Sequence, residues 1–430
     1  MEYDASRRLL DRLPRFDVKP GLERVDRLLA RLGHPERSFP AVHVTGTNGK
    51  GSVVAMLESV LRAAGWRVGR YTSPDLVDFL DRICVDGKWM ESGAFADFVA
   101  ALAPEFDASP DVPSQFETLT AVACEHFRRS EVDLAVVEVG LGGRYDATNV
   151  VTPVVTVLTN VALDHTALLG TTEAEIAWEK VGIAKPGVPM VVGALSGEVA
   201  AVVERECAAV GAPLVRAGTD VERRGRAGRF ALYAGRGDDL PPEVRLPLLG
   251  AYQLDNLRKA LDGVAALRER GWRISADAVA GGLASVEWPG RWEVVQSAPT
   301  VILDGAHNPA GADAVARAIV DWEPDRERRV LLLGILADKD VAGVVAALAP
   351  RFGRIAVTAS RSPRALSATA LADRVTEAGG RPIRYDSVEE GVCDLMTRAD
   401  PRDTILVTGS LTVVAEARRT LLQARGGSAA

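Results

Sequence analysis

The sequence predicts an α/β protein in which a large, mostly parallel sheet domain precedes a smaller α/β domain. Three observations predict it. Short apolar runs of strand length alternate with longer amphipathic stretches, the pattern of strands joined by crossover helices. A glycine-rich turn, Gly46-Thr47-Asn48-Gly49-Lys50-Gly51-Ser52, lies between one such run and a helical stretch. The alternation resumes after the Trp288-Pro289-Gly290-Arg291 interruption, which sets the expected domains at 1–291 and 292–430.

A length of 430 residues suits two or three domains. With 47% hydrophobic and 25% charged residues, the composition excludes a disordered chain, a collagen-like repeat and a coiled-coil rod. No run approaches the ~18–20 apolar residues that span a bilayer. The first ten residues mix charges with apolar side chains and form no signal core. A soluble, cytoplasmic protein without a membrane partner is the expectation. The net charge of −7 argues against a nucleic-acid partner. Cys84, Cys124, Cys207 and Cys393 form no CxxC pair and are expected to be reduced core residues. Only seven of the 51 basic residues are lysines, so each lysine is informative.

The elements follow in order. A strand is expected over 41–45, then the glycine-rich turn, then a helix over 52–64. Residues 134–139 and 154–159 are near-continuous apolar runs, as in strands covered on both faces. The stretch 216–245 is Gly- and Arg-rich and weakly alternating, which suggests an antiparallel hairpin excursion. In the second block, 301–303, 330–333, 355–358 and 404–407 are strand-like. Helices are expected over 311–322 and 341–349, giving a Rossmann-like arrangement.

The turn between strand and helix has the context of a phosphate-binding loop. Glycines let backbone N–H groups approach phosphate oxygens, the helix N-terminus adds partial positive charge, and Lys50 reaches the outer phosphates. A purely structural turn gives a lysine beside three glycines little packing rationale. The spacing is unusual: Gly46 is close to Gly49, and Gly51 stands where Ser or Thr normally follows the lysine. Glu138 interrupts an apolar run near a strand end, where a carboxylate is costly to bury unless paired or cation-bound. Beside a phosphate loop its natural partner is Mg²⁺; the structural alternative is an ion pair with a core arginine.

Gly140-Leu141-Gly142-Gly143 lacks the full spacing of a dinucleotide-binding turn. Taken singly, His165 in Leu163-Asp164-His165 reads as a structural histidine and Lys180 as a solvated helix charge. The Ser73 hydroxyl suits a hard cation, although Ser-Pro is commonly only a turn. Asp304-Gly305-Ala306-His307-Asn308 follows a strand, at the end where open α/β sheets bind ligands. Ala337-Asp338-Lys339-Asp340 and Thr408-Gly409-Ser410 occupy comparable strand ends.

Together these motifs resemble the folylpolyglutamate synthase and dihydrofolate synthase branch of the Mur ligase superfamily. GTNGKGS, TSPDL, FET, EVGLGGRYDATN, LDH, EK-GI, the stretch Gly250–Asn256, PGR, LDGAHNP and DKD occur in this order over roughly 17–415. The resemblance implies an N-terminal P-loop ATPase-type domain and a C-terminal Rossmann-like glutamate-ligase domain. It implies that ATP phosphorylates a carboxylate and that the amine of L-glutamate attacks the acyl phosphate. Thr47, Asn48, Gly49, Lys50, Gly51 and Ser52 would bind ATP phosphates, with Asn256, Arg291 and Asp304 as further nucleotide contacts. Ser73, Glu138 and His165 would be Mg²⁺ ligands, and Lys180 would carry a carbamate.

Lys50, Lys180, Asp304 and His307 would be the catalytic set. The pterin-type acceptor would be held by Asp17, Val18 and Lys19, by Ser114, Gln115, Phe116 and Glu117, and by Tyr145, Asp146 and Ala147. The cofactors implied are ATP and Mg²⁺, with a monovalent cation as a further candidate. The partners are dihydropteroate or folates, L-glutamate and ATP, and a monomer is expected.

The chain departs from the family's usual Ser-Pro-His-Leu and Glu-Arg-Ile at Asp75 and Asp81. Both lie in the loop beside the acceptor, so they bear on folate form and chain length rather than on ATP use. A P-loop kinase or regulatory NTPase would leave Lys180 and DGAHNP unexplained, and an oxidoreductase would need a GxGxxG turn that is absent. A non-catalytic binding protein would not need a phosphate loop and metal ligands together. A ligase of the same superfamily with a different carboxylate acceptor stays open, as does the choice between one folate activity and both.

Overall fold

The computed structural model describes residues 2–15, 20–107, 111–236 and 240–424. The expected acceptor contacts Asp17, Val18 and Lys19 lie outside the described residues. The chain divides into two compact units, Met1–Pro247 with Leu254–Glu287, and Leu248–Gln253 with Trp288–Ala430. The Trp288–Arg291 turn, read from the sequence as the end of the first domain, belongs to the second unit. Gly305 donates its N–H to Gly290 O, and Trp292 donates to Asp304, which fastens the turn there.

Among the described residues, the first unit is built on an eight-stranded sheet. From edge to edge it runs Lys88–Trp89, Ile83–Val85, Val68–Tyr71, Leu134–Glu138, Pro40–Thr45, Thr152–Leu158, Met190–Val192 and Leu214–Arg216. The six strands from Val68–Tyr71 to Leu214–Arg216 are parallel, and the first two form an antiparallel edge. Pro40–Thr45 is central and almost wholly buried, which is why its sequence is apolar on both faces. Helices Lys50–Ala63 and Gln115–Arg129 cover the sheet and bury long apolar stretches of their own. The excursion starts later than the sequence suggests. Leu214–Arg216 still belongs to the main sheet, and the antiparallel part is Val221–Ala227, Phe230–Gly235 and Val244–Leu246.

The second unit holds a six-stranded sheet in the order Glu293–Ser297, Thr300–Leu303, Thr404–Thr408, Arg329–Leu333, Arg354–Val357 and Pro382–Arg384. Only the Glu293–Ser297 edge is antiparallel. The mixed α/β class and the two parallel-dominated sheets are those the sequence predicts. Cys84, Cys124 and Cys207 are buried free thiols, but Cys393 is exposed, because it falls on the solvent side of helix Val388–Arg398. No described helix is long and apolar enough to cross a membrane.

Candidate active site

The phosphate loop leaves the central strand at Gly46 and enters helix Lys50–Ala63 at Gly49. Both glycines are required by position. Gly46 has φ +145°, and a Cβ there would lie 1.8 Å from Thr159 Oγ1. Gly49 has φ +84°, and its Cβ would lie 2.2 Å from Asn256 Oδ1, so Asn256 stands against the loop. The loop is braced from behind. Thr47 N donates to Asn160 O at 3.0 Å, Asn48 N to Asn160 Oδ1 at 2.9 Å, and Thr159 Oγ1 to Asn48 O at 2.7 Å. Sequence reading missed Thr159 and Asn160. Their signal is a pair of polar residues ending an apolar strand beside the loop strand.

Two lysines converge on one carbonyl. Lys50 Nζ donates to Gly46 O at 3.1 Å and to Thr47 O at 3.2 Å, and Lys180 Nζ donates to Gly46 O at 2.9 Å. Lys180 is buried, at 4% exposure. Burial first, and then the Lys50 charge, push its ammonium down to about 7. The solvated helix charge is therefore excluded, and at neutral pH much of Lys180 is free amine.

Glu138 and Ser73 lie at the ends of adjacent parallel strands, with Tyr71 in register with Val137. Glu138 is 5% exposed, and its Oε2 accepts the Ser73 N–H at 3.2 Å. His165 stands in left-handed backbone at φ +50°, where its N–H meets Asp164 Oδ1 at 2.8 Å, and it remains partly exposed. No group of three His, Cys, Asp or Glu side chains arranged to hold a metal occurs among the described residues. Mg²⁺ does not need one, since it keeps waters and takes one or two carboxylates together with substrate phosphates. A buried carboxylate and a serine beside a phosphate loop fit that ion.

The Gly140–Asn149 segment is an internal truss. Asp146 Oδ2 accepts Leu141 N at 2.8 Å, and its Oδ1 accepts Thr148 N at 3.0 Å and the Thr148 hydroxyl. Asn149 Nδ2 donates to Arg144 O at 3.0 Å and Gly182 O at 3.2 Å, while Asn149 Oδ1 accepts Lys185 Nζ at 2.8 Å. Asp146 and Ala147 are thus buried framework, whereas Tyr145 is exposed. Ser114 and Glu117 are also engaged by the fold. They form a capping box for helix Gln115–Arg129, and Arg24 Nε bonds the Glu117 carboxylate at 3.0 and 3.1 Å. Gln115 is buried as well, with Nε2 donating to Leu10 O at 3.3 Å. Phe116 stays half-buried and stacks on Tyr71 at 5.8 Å between ring centroids. Of the expected acceptor residues that are described, Phe116 and Tyr145 are the ones with accessible aromatic surface.

The Ser73–Arg82 loop is held by its own acids. Asp81 Oδ2 accepts the N–H groups of Leu76, Val77 and Asp78 at 3.0, 2.7 and 3.3 Å. Asp75 accepts Arg82 Nε at 2.8 Å, and the Arg82 guanidinium lies 5.2 Å over the Phe79 ring.

In the second unit, Asp304 follows strand Thr300–Leu303 and is buried. Its carboxylate accepts Trp292 N and Ala306 N, each at 2.9 Å, and the Tyr252 hydroxyl. Burial raises its proton affinity against the opposing Arg291 charge. Two backbone N–H groups and a tyrosine hydroxyl thus engage the Asp304 carboxylate and hold its orientation. Arg291 lies against Gly305, where an added Cβ would sit 2.8 Å from its Nη1. His307 Nδ1 is 2.9 Å from Gly305 O, which fixes the proton on Nδ1.

Two families match the chain: Mur ligase middle domain over residues 44–261, and Mur ligase, glutamate ligase domain over 290–411. The dihydrofolate synthase/folylpolyglutamate synthase of Mycobacterium tuberculosis is 39% identical, over 96% of this chain and 92% of its own. The chain spans about half the length of the archaeal relatives it matches. One is a probable bifunctional folylpolyglutamate synthase/dihydropteroate synthase of Halobacterium salinarum, 39% identical over 97% of this chain and 51% of that one. Among solved structures, E. coli FolC in complex with DHPP and ADP is similar, with a TM-score of 0.85 and 33% identity over 99% of both chains.

Proposed function

Because the chain belongs to the dihydrofolate synthase/folylpolyglutamate synthase family of the Mur ligase superfamily, we propose that it is an ATP-dependent ligase. It joins L-glutamate to dihydropteroate, to reduced folate polyglutamates, or to both. The observation that carries this reading is the convergence of Lys50 and Lys180 on Gly46 O, beside the Ser73–Glu138 pair.

Backbone N–H groups of the loop and the N-terminus of helix Lys50–Ala63 receive the ATP phosphates. On nucleotide binding, Lys50 exchanges its two loop carbonyls for the outer phosphates and offsets charge as the phosphoryl group leaves ADP. Ser73 and Glu138, with His165 from the neighbouring loop, would hold Mg²⁺, which adds Lewis-acid stabilisation of the same charge. The unprotonated Lys180 amine is the form that takes up CO₂. As a carbamate it would become an anion facing the cationic centre. Phe116 and Tyr145 present aromatic faces to a pterin ring, and Asn256, which stands against the phosphate loop, adds a nucleotide contact.

Dihydropteroate and a tetrahydrofolate should each be incubated with ATP, Mg²⁺ and labelled glutamate. One ADP per amide formed with at least one acceptor is expected. Absence of glutamate incorporation with both acceptors would overturn the reading.

A further inference from the structure

His43 lies on the central strand just ahead of Gly46, and it is wholly buried. Its neighbours along the strand, Val42 and Val44, point to the opposite face of the sheet and are wholly buried as well. His43 Nε2 is 2.8 Å from Thr148 Oγ1. The Thr148 hydroxyl donates its single proton to Asp146 Oδ1, and the Asp146 carboxylate also takes backbone N–H groups from Thr148 and Leu141. A hydroxyl that gives its proton to a carboxylate can only accept from the imidazole. His43 therefore carries its proton on Nε2. Its Nδ1 is then a buried acceptor with no hydrogen-bond partner among the described residues. A side chain present for packing alone would have no reason to accept that cost. Burial and the nearby Lys185 charge hold the ring neutral, so this tautomer persists across the physiological range.

We propose that His43 is a positioning residue for the acceptor substrate, acting through the buried train His43–Thr148–Asp146–Leu141 that sets the loop presenting Tyr145. This rests on the acceptor-site reading of that loop. The train ties the loop to the strand that carries the phosphate loop, so the two substrates' sites share one rigid reference. A second tie runs parallel to it, from Thr45 Oγ1 to Gly142 O at 2.7 Å. Asn149 anchors the far end through Lys185 and Gly182. Among these ties the train alone reaches Asp146, whose two oxygens fold the segment back between Leu141 and Thr148.

The test compares wild type with His43→Leu and Thr148→Val, which remove the donor and the hydroxyl, and with His43→Gln and Thr148→Ser, which keep them. Measured quantities are KM for dihydropteroate, KM for ATP and the thermal midpoint. The two removing variants should raise the acceptor KM about tenfold, the scale of one neutral hydrogen bond. Their ATP KM should stay near the wild-type value, because the Thr159 and Asn160 bracing is untouched. The two retaining variants should stay close to wild type in both. An unchanged acceptor KM in His43→Leu and Thr148→Val overturns the proposal. So does a rise of both KM values together with a fallen midpoint that Gln and Ser do not rescue. Wild-type turnover is the control: if neither dihydropteroate nor a tetrahydrofolate is used, the proposed function itself fails; if only a tetrahydrofolate is used, its KM replaces that of dihydropteroate, and an unchanged acceptor KM in the variants refutes this inference alone.

Discussion

Two carboxylates hold the same kind of position in the two units and behave differently. Glu138 ends strand Leu134–Glu138, and Asp304 follows strand Thr300–Leu303. Both are nearly inaccessible, at 5% and 2% exposure. Glu138 meets Ser73, which stands on the next strand end and brings a hydroxyl with it. Asp304 is taken up by two backbone N–H groups and a tyrosine hydroxyl. A strand-end acid in a polar motif marks a place in the fold. Whether it can reach a ligand is decided by residues remote in sequence, here Tyr252 and Trp292.

The first unit's side of that contrast should be breakable without unfolding. Lys50 donates to two loop carbonyls at the start of its helix. Lys50→Ala should lower glutamate incorporation by at least about 1000-fold, the loss expected when phosphoryl charge goes unopposed. The thermal midpoint should move by only a few degrees. Turnover within tenfold of wild type would remove the phosphate-loop assignment.

The two carboxylates can then be set against each other directly. Glu138→Gln should cut Mg²⁺-dependent turnover about 100-fold with little loss of stability. Asp304→Ala leaves three buried donors without their acceptor, at roughly 1–3 kcal/mol each before relaxation. Its signature should be a lowered unfolding transition of the second unit, followed calorimetrically. If Glu138→Gln lost stability and kept turnover, the ion-pair alternative for Glu138 would be right and the contrast would collapse.

Lys180 sharpens the same comparison through pH. Its folded-state value is lowered to about 7 from the usual 10.5. Between those two values the unfolded chain binds the extra proton, so the unmodified protein gains stability as pH rises from about 7 towards 10.5. Below about 7 the full cost of burying the ammonium is present. Carbamate formation needs the neutral amine, which the lowered value supplies at neutral pH. With ¹³C-bicarbonate, a carbamate signal is expected already in the neutral range, and is expected to be absent in Lys180→Ala. A signal that appears only near pH 10 would show that the lysine is not buried as described.

Much of this was legible because it is local. The glycines and Lys50 lie within a few residues, and Glu138 stands out by breaking an apolar run. The parallel sheets followed from continuous apolar strands separated by helices. The losses came from long-range pairing. Ser114-x-x-Glu117 is a capping-box signature readable in the sequence, but the Arg24 partner that commits Glu117 lies 93 residues away. Asp146 was legible as a polar motif residue, whereas its work inside the loop depends on where Leu141 folds back. Cys393 illustrates the remaining error, since helix phase rather than residue type put it outside.

Asp75 carries the smallest expected effect and concerns the acceptor loop itself. From the sequence, Asp in place of the family's usual His adds a fixed anion that should disfavour long, anionic acceptors. The structure pairs that anion with Arg82, whose side chain is 11% exposed against 29% for Asp75. The field reaching the acceptor is then much weaker than a bare carboxylate would give. Asp75→His should act by releasing Arg82 rather than by removing a repulsion, and the released guanidinium favours polyglutamylated acceptors. Partly exposed pairs are worth about 0–1 kcal/mol, so the ratio of kcat/KM for a polyglutamylated tetrahydrofolate over dihydropteroate should rise at most about fivefold. The gain should shrink as ionic strength rises and the Debye length falls. A ratio that does not move would leave Arg82 committed to Phe79 and the turn, and would make Asp75 a residue of loop structure rather than of acceptor choice.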